Sequence, residues 1–448
     1  MAIPVTAIFD IGKTNKKFFL FDANLNELKE EYIKFPLTRD DDGYPCDDLE
    51  SITHWIKKTI EDIAASSDYK LEGINFSTYG ATLVHLDENG RPVTPLYNYL
   101  KPFPQAFADE FFAQNEEESN CLETASPNLG MLNSGFQLYW LKREKPHLYK
   151  KIKYTLHFPQ YLSYLFTGKM VCEPTSLGCH TRLWDYTKNN YHHWVIKEGF
   201  NTLFPKYVPT TQTYLCNIGG QKVKVGVGIH DSSSALASYL LRIQEPFLLI
   251  STGTWSITLN PFTTDELTCR ELERDCLNFL SINGSPVKAS RFFLGHELDH
   301  QLDKLNSIFQ KDPRYYKTVD PNPDFIEKAI NGEISLKYFP ETIQTKALVA
   351  DIFTTNKWNP DDCSTFEEAY HQVLWGLVKL QVASFNLARG NTPTKTVYID
   401  GGFVNNKVFM AFMKEMMEGY NLIFSDFPLG SAYGAAGLLK DNITEPVP

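Results

Sequence analysis

The sequence predicts a two-part α/β protein, and three observations carry that reading. Short apolar runs of strand length alternate with amphipathic helical stretches along the whole of the 448 residues. A hairpin of strand, polar turn and strand opens each half, AIFDIGKTNKKFFLFD at 7–22 and PFLLISTGTWSITLNPF at 246–262. The chain is also long enough for two cores, since domains usually run to about 100–200 residues.

Composition narrows the class. Hydrophobic residues make up 43% and charged residues 22%, ordinary for a globular protein. Lys and Arg number 43 against 54 Asp and Glu, a net charge of −11. That balance argues against nucleic acid or an anionic membrane surface as the main partner, while leaving room for a local basic pocket. No basic segment precedes a long apolar one near the first residues, and no run approaches the ~18–20 apolar residues of a membrane span. The eight cysteines are scattered, with no C-x-x-C, and read as reduced thiols of a cytoplasmic protein.

Each element follows from its own pattern. Residues 5–10, 16–22 and 27–34 form three strands of an antiparallel meander, joined by the turns DIGKTN and DANLNE. In LESITHWIKKTIEDIAASS (49–67), Leu49, Ile52, Ile56, Ile60, Ile63 and Ala64 recur at helical spacing. LEGINFSTYG (71–80) returns a strand, and TLVHLDENGRPVTPL (82–96) reads as strand, Asn-Gly turn and strand. Residues 102–170 are aromatic-rich and mainly helical, with proline stops.

The second half repeats this logic. After the hairpin at 246–262 come a strand in CLNFLSING, a long helix over 364–389 and a strand in TVYIDGG. A helix in NKVFMAFMKEMME, a strand in NLIFSD and a helix in SAYGAAGLLK follow. The parallel between the halves predicts a structural duplication. The boundary is expected near NIGGQKVKVGVG (217–228), giving domains 1–225 and 226–448.

Four places carry chemistry. In DIGKTNKK, Gly12 admits close approach of a phosphate chain, turn amides and the Thr14 hydroxyl offer hydrogen bonds, and Lys17 offers charge. Asp10, at the strand end, suits magnesium, which prefers hard oxygen ligands. A plain solvated hairpin explains the same residues. Ser251-Thr252-Gly253-Thr254 has the same form with hydroxyls, and is open to the same plain reading. Two such hairpins in corresponding places are harder to dismiss, since together they suit one polyphosphate.

In GVGIHDSSSAL (226–236) a glycine-bounded strand end delivers His230 and Asp231, and a helix begins. Asp231 is either a helix N-cap or the carboxylate that orients an attacking alcohol and accepts its proton. His230 is either a sugar-hydroxyl partner or an ordinary satisfied histidine. In YIDGGFVNN (398–406) a strand ends in Gly401-Gly402 and a helix starts at once, placing close-approach backbone beside a flat ligand with asparagine at its edge. The dinucleotide pattern G-x-G-x-x-G is absent.

The ordered set DIGKTNKK, GIHDSSSAL, STGTWS, IDGGFVNN and GSAYGAAGLL resembles the FGGY carbohydrate kinases, most of all their L-rhamnulose and L-fuculose kinase branch. The resemblance runs over nearly the whole chain. It implies the two-lobed, actin-like (ribonuclease H-like) ATPase fold with duplicated domains and ATP in the interlobe cleft. It implies an ATP- and Mg2+-dependent phosphotransferase acting on a terminal hydroxyl of a ketose. By position, Asp231 would be the base, His230 and Ser232 would touch the sugar, and Gly80 with Tyr79 would line its pocket. Asp10 would hold magnesium, with Thr14, Lys17, Thr252, Gly253 and Thr254 at the ATP phosphates. Gly401, Gly402 and Asn405 or Asn406 would flank the adenosine.

Two departures bear on the substrate. Lys17 stands where many relatives carry arginine, keeping charge but losing bidentate geometry. SRFFLGHEL (290–298) stands where rhamnulose-type kinases carry a sugar-binding asparagine and a Gly-Leu-Trp-Leu run. Two alternatives therefore stay open: a xylulose, ribulose or other polyol kinase, and a non-catalytic nucleotide-binding sensor. A homodimer is compatible with the sequence, which locates no interface.

Overall fold

The computed structural model describes residues 2–354, 356–424, 430–440 and 444–446. The chain forms two compact units. The first comprises Met1–Gln244, Asn278–Pro286 and Leu429–Pro448, the second Glu245–Leu277 and Val287–Pro428. The division thus differs from the expected one after residue 225, and Asp231 belongs to the first unit. The reason is local: Ile229–His230 pairs with the strand Tyr69–Thr78 of the first sheet. The helix Asp231–Leu240 that follows packs on the helix Gly430–Gly437.

Both sheets share one five-strand topology. In the first unit the order is Glu27–Ile33, Lys16–Asp22, Ile3–Ile11, Tyr69–Thr78 and Gln221–Gly226, with two antiparallel pairings followed by two parallel ones. In the second it is Pro286–Phe292, Ser256–Asn260, Leu248–Thr252, Thr396–Gly401 and Asn421–Phe424, with the same pairing directions. The first sheet continues past Gln221–Gly226 to Thr213–Ile218 and Thr444–Pro446.

The segment expected to mark the domain boundary is a hairpin of this first sheet. Gly219 and Gly220 have φ of 57° and 78°, the left-handed pair of a tight turn whose twist matches its strands. In the returning strand QKVKVG, Val223 and Val225 are buried, while Lys222 on the other face is exposed and Lys224 is half-buried, donating to Leu439 O at 3.0 Å. The arm expected at Pro92–Leu96 is not a strand. Towards Leu83–Leu86 it keeps only an isolated antiparallel bridge, Leu86 to Pro92, because prolines at 92 and 95 lack ladder donors, and Leu83–Leu86 pairs along its length with Tyr154–His157.

Cores form where the patterns predict. The helix Leu49–Ala65 buries Ile52, Ile56, Ile60 and Ile63, each worth about 2 kcal/mol against exposure. Asp48 caps it, accepting from the N–H groups of Glu50 and Ser51. Beneath it Phe9 stacks on Phe76 at 5.9 Å and meets Phe18 at 5.1 Å. In the second unit the helix Phe366–Arg389 packs Val373, Leu374, Leu377 and Val378 against Leu248, Ile250, Val397 and Ile399.

Candidate active site

Three parallel strands of the first unit end side by side. The register sets Asp10 beside Ser77, and Ser77 beside Ile229. Asp10, Gly80 and Asp231 therefore emerge together at the carboxyl ends of the strands, where open α/β sheets bind ligands. Asn75 fixes this arrangement from within. Its amide donates to Ala435 O at 2.8 Å, and its Oδ1 accepts from Gly228 N at 3.1 Å.

Asp10 accepts from Ser431 Oγ at 2.8 Å. Burial raises its pKa, and the nearby charge of Asp231 raises it further. Ser431, Lys17 and Ser77 pull the other way without reversing the shift. With Asp231 disfavouring the ionisation of Asp10, the two carboxylates form a hard-oxygen set. That donor set fits magnesium, for which Asp10 could serve as a ligand.

The strand period sorts the lysines of DIGKTNKK. Lys17 stands opposite Asp10 across the antiparallel pair, its ammonium 5.1 Å from the Tyr32 ring. Lys16 points to the other face, buried, and donates to Asp47 Oδ1 at 2.7 Å. Lys13 and the Tyr79 hydroxyl both donate to Asp47 Oδ2, at 2.6 and 2.8 Å. Burial pushes the Asp47 carboxyl up, but Lys13 and Lys16 prevail and hold it below its ordinary range. The Tyr79 hydroxyl, expected at the sugar, is thus engaged with Asp47. Thr14 is exposed at the turn.

Asp231 is the first residue of its helix, so His230 and not Asp231 occupies the N-cap position. Ser232 N donates to Asp231 Oδ1 at 2.6 Å, Ser232 Oγ lies 3.3 Å from the same oxygen and His230 Nε2 3.1 Å from it. Burial pushes the Asp231 carboxyl up to about 6, against those bonds, the range a general base needs near neutral pH. His230 is buried and held from several sides. Its N–H donates to Thr175 Oγ1 at 3.1 Å, Nδ1 lies 3.2 Å from Ser233 Oγ and Nε2 3.3 Å from Cys179 Sγ. A Cβ on Gly80 would come within 3.0 Å of the His230 ring and 3.3 Å of Cys179 Sγ.

In the second unit the hairpin turn exposes Gly253 and Thr254. Gly295 packs against it so closely that a Cβ there would sit 2.4 Å from Gly253 O, and Gly295 N donates to Thr254 O at 3.0 Å. SRFFLGHEL is therefore the support of this turn. The Thr252 hydroxyl, expected at the ATP phosphates, is engaged within the fold, donating to Asp400 O at 2.5 Å and accepting from Phe403 N at 3.2 Å. It pins the Gly401-Gly402 turn, where Gly401 has φ of 89°. Gly402 and Asn405 are exposed. Asn406 caps the helix Lys407–Met416 through Phe409 N and donates to the Tyr370 hydroxyl at 2.8 Å.

Sequence reasoning missed Asp47, Cys179, Gly295 and Ser431. Two of them lay in segments already singled out, Gly295 in SRFFLGHEL and Ser431 in GSAYGAAGLL, while Asp47 and Cys179 carried no motif.

The N-terminal domain model of the FGGY family of carbohydrate kinases matches residues 5–229, and the FGGY C-terminal domain model matches 244–446. A rhamnulokinase of Oceanobacillus iheyensis is 28% identical over 223 residues, 48% of this chain and 47% of that protein. The chain spans about half the length of the curated relatives it matches. Among solved structures, a carbohydrate kinase from Novosphingobium aromaticivorans superposes with a TM-score of 0.80 at 22% identity, covering 100% of this chain and 95% of that one. A ligand-bound xylulose kinase from Lactobacillus acidophilus gives 0.78 at 13%, covering 98% and 89%. The two family models lie end to end over nearly the whole chain, and the repeated five-strand sheets are the fold these structures share: the chain belongs to the FGGY family of carbohydrate kinases.

Proposed function

We propose that this chain transfers the terminal phosphoryl group of ATP to a terminal hydroxyl of a small ketose, of the L-rhamnulose or L-fuculose kind. The observation that carries the reading is Asp231, a carboxylate pushed up to about 6 at the carboxyl end of the sheet, beside His230 and Gly80 and close enough to Asp10 to perturb its ionisation. Asp231 accepts the proton of the attacking alcohol, while His230 and Ser232 orient its neighbouring hydroxyls. Lys17 offsets the charge that builds on the transferring group. Asp10 would hold magnesium, which, when bound, offsets phosphate charge. Thr254 and Gly253 of the second unit, with Gly402 and Asn405, serve the nucleotide.

A pentulose or polyol acceptor is the second reading. SRFFLGHEL favours it, because Ser290 is buried with its hydroxyl 2.8 Å from Ser384 Oγ, and no asparagine is offered there. ATP consumption against L-rhamnulose, L-fuculose, L- and D-xylulose, D-ribulose and glycerol separates the two. Turnover of a 6-deoxyketose well above the others supports the first reading, and preference for a pentulose or glycerol the second. ATP use that no acceptor stimulates overturns both.

A further inference from the structure

Four of the eight non-glycine residues with left-handed backbone, among the described residues, belong to one connected patch of the first unit. They are Ala81 (φ 53°), Ala125 (48°), His180 (42°) and Arg182 (62°). Such conformations are strained for a residue with a side chain and gather where surrounding contacts impose them. Here the contacts are identifiable. Gln137 Nε2 donates to Ala81 O at 2.6 Å, Asn133 Nδ2 to His180 O at 2.7 Å and Gly135 N to Thr181 O at 2.9 Å.

Arg182 closes the patch from the other side. Its side chain is fully buried, and its guanidinium donates to Asn120 Oδ1, to Cys121 Sγ at 2.7 Å and to Ser126 O at 3.1 Å. It lies over the rings of Phe112 and Phe136, 5.2 and 5.0 Å from their centres, and its Nε has no hydrogen-bond partner. None of these partners is a carboxylate. Burial opposes the charge and outweighs Glu117, which favours it from a distance, and an apolar side chain of the same length would suit the two phenylalanines. The arginine gains a tether: it ties the turn Cys179–Arg182 to residues 120–126.

That turn faces the acceptor end of the site. Cys179 Sγ is 3.3 Å from His230 Nε2, and the rings of His180 and His230 both meet Phe279, at 6.0 and 5.7 Å. We propose that Arg182 is a positioning residue: it locks the left-handed turn that sets Cys179 and His180 as the wall beside His230, and so selects which polyhydroxylated acceptor reaches Asp231. The proposal rests on the kinase reading above. Cys179 and Phe279 are themselves buried, so they act on the acceptor by fixing the His230 ring that they back.

The test uses the full-length chain with Arg182→Met, Arg182→Lys and His180→Gly. Arg182→Met should fold, with a melting temperature no lower than about 3 °C below wild type, because losing the buried charge offsets leaving Asn120 Oδ1 and Ser126 O without their donor. KM for the acceptor should rise ~10-fold or more while KM for ATP stays within about two-fold, with partial recovery in Arg182→Lys. His180→Gly, which relieves the strain without touching the arginine, should blur the preference among ketoses in the same direction. Should Arg182→Met not fold, the other two variants carry the same comparison. Unchanged acceptor KM and preference in the folded variants overturns the proposal and leaves the kinase reading intact. If the wild type turns over no acceptor, the kinase reading fails. The positioning role is then decided by the 15N resonances of the His230 ring: a shift in Arg182→Met or Arg182→Lys upholds it, and unchanged signals overturn it.

Discussion

Lys17 stands directly opposite Asp10 across the first two strands, while Lys16, one residue earlier, is turned to Asp47 on the other face. Neighbouring lysines in one strand therefore have separate tasks, set by the two-residue period of the pleat. Lys17→Met should lower turnover ~100-fold, with stability within about 0.5 kcal/mol of wild type. Lys16→Met should leave the phosphoryl-transfer step in place but cost about 2 kcal/mol in urea unfolding, since Asp47 keeps only Lys13 as its cationic partner. A reversed pattern would mean that the two faces are assigned the wrong way round.

Asp231→Asn should lower turnover ~100-fold or more and stabilise the fold at the same time. The carboxyl is pushed up to about 6 from an ordinary 3.8, so the folded state holds its proton more tightly than the unfolded chain. The resulting penalty is absent below pH 3.8, grows as pH rises and is complete above about 6. Because the side chain is 34% exposed, solvent screens much of it, and a gain on the order of 1 kcal/mol at pH 8 is expected for the variant. Denaturant melts at pH 5 and pH 8 should show that gain shrinking at the lower pH.

The same shift fixes the acid side of the pH–rate profile. A general base must be ionised, so kcat/KM should fall as pH drops through about 6. An acid limb near pH 4 would show that Asp231 is not desolvated in solution, which would remove the physical basis of its role as base.

Gly80→Ala brings a methyl group within 3.0 Å of the His230 ring, tight enough that the ring must yield by a few tenths of an ångström. KM for the acceptor should rise ~10-fold with KM for ATP unchanged. Equal effects on both substrates would place the glycine elsewhere than at the acceptor.

Gly401→Ala tests the pin in the second unit. Its φ of 89° excludes side chains, and the added Cβ would fall 1.7 Å from Thr252 O. A loss of roughly 3 kcal/mol or more is expected. An alanine variant of wild-type stability would contradict the turn as described.

Local patterns were legible in the sequence and distant partners were not. The hairpins, the helix Leu49–Ala65 and the long helix Phe366–Arg389 each follow from a periodicity within a few turns, and all three are present. The hairpin around Gly219 was read as the domain boundary because glycine marks boundaries and tight turns alike, and only the alternation of Val223 and Val225 with lysines distinguishes them. At the site, Asp10, Gly80 and Asp231 were readable as strand-end residues. Tyr79, Thr252 and Asn406 were readable as polar groups of strand-end and turn segments. What they bond to was not, because Asp47, Asp400 and Tyr370 lie 32, 148 and 36 positions away from them. Cys179 beside His230 is of the same kind, 51 positions apart and without any motif.

The bond from Ser431 to Asp10 joins residues 421 positions apart, and it has a consequence for how the protein is made. At about 5–20 residues per second, a ribosome delivers Asp10 roughly 20–80 seconds before the serine that completes its surroundings. Throughout that interval the nascent first unit lacks the helix Gly430–Gly437, whose Ala432, Ala435 and Ala436 cover Ile8, Phe19, Phe21 and Ile229. The second unit is synthesised whole within this wait. The incomplete sheet, with its apolar face open, is thus the stage at which a chaperone has most to protect.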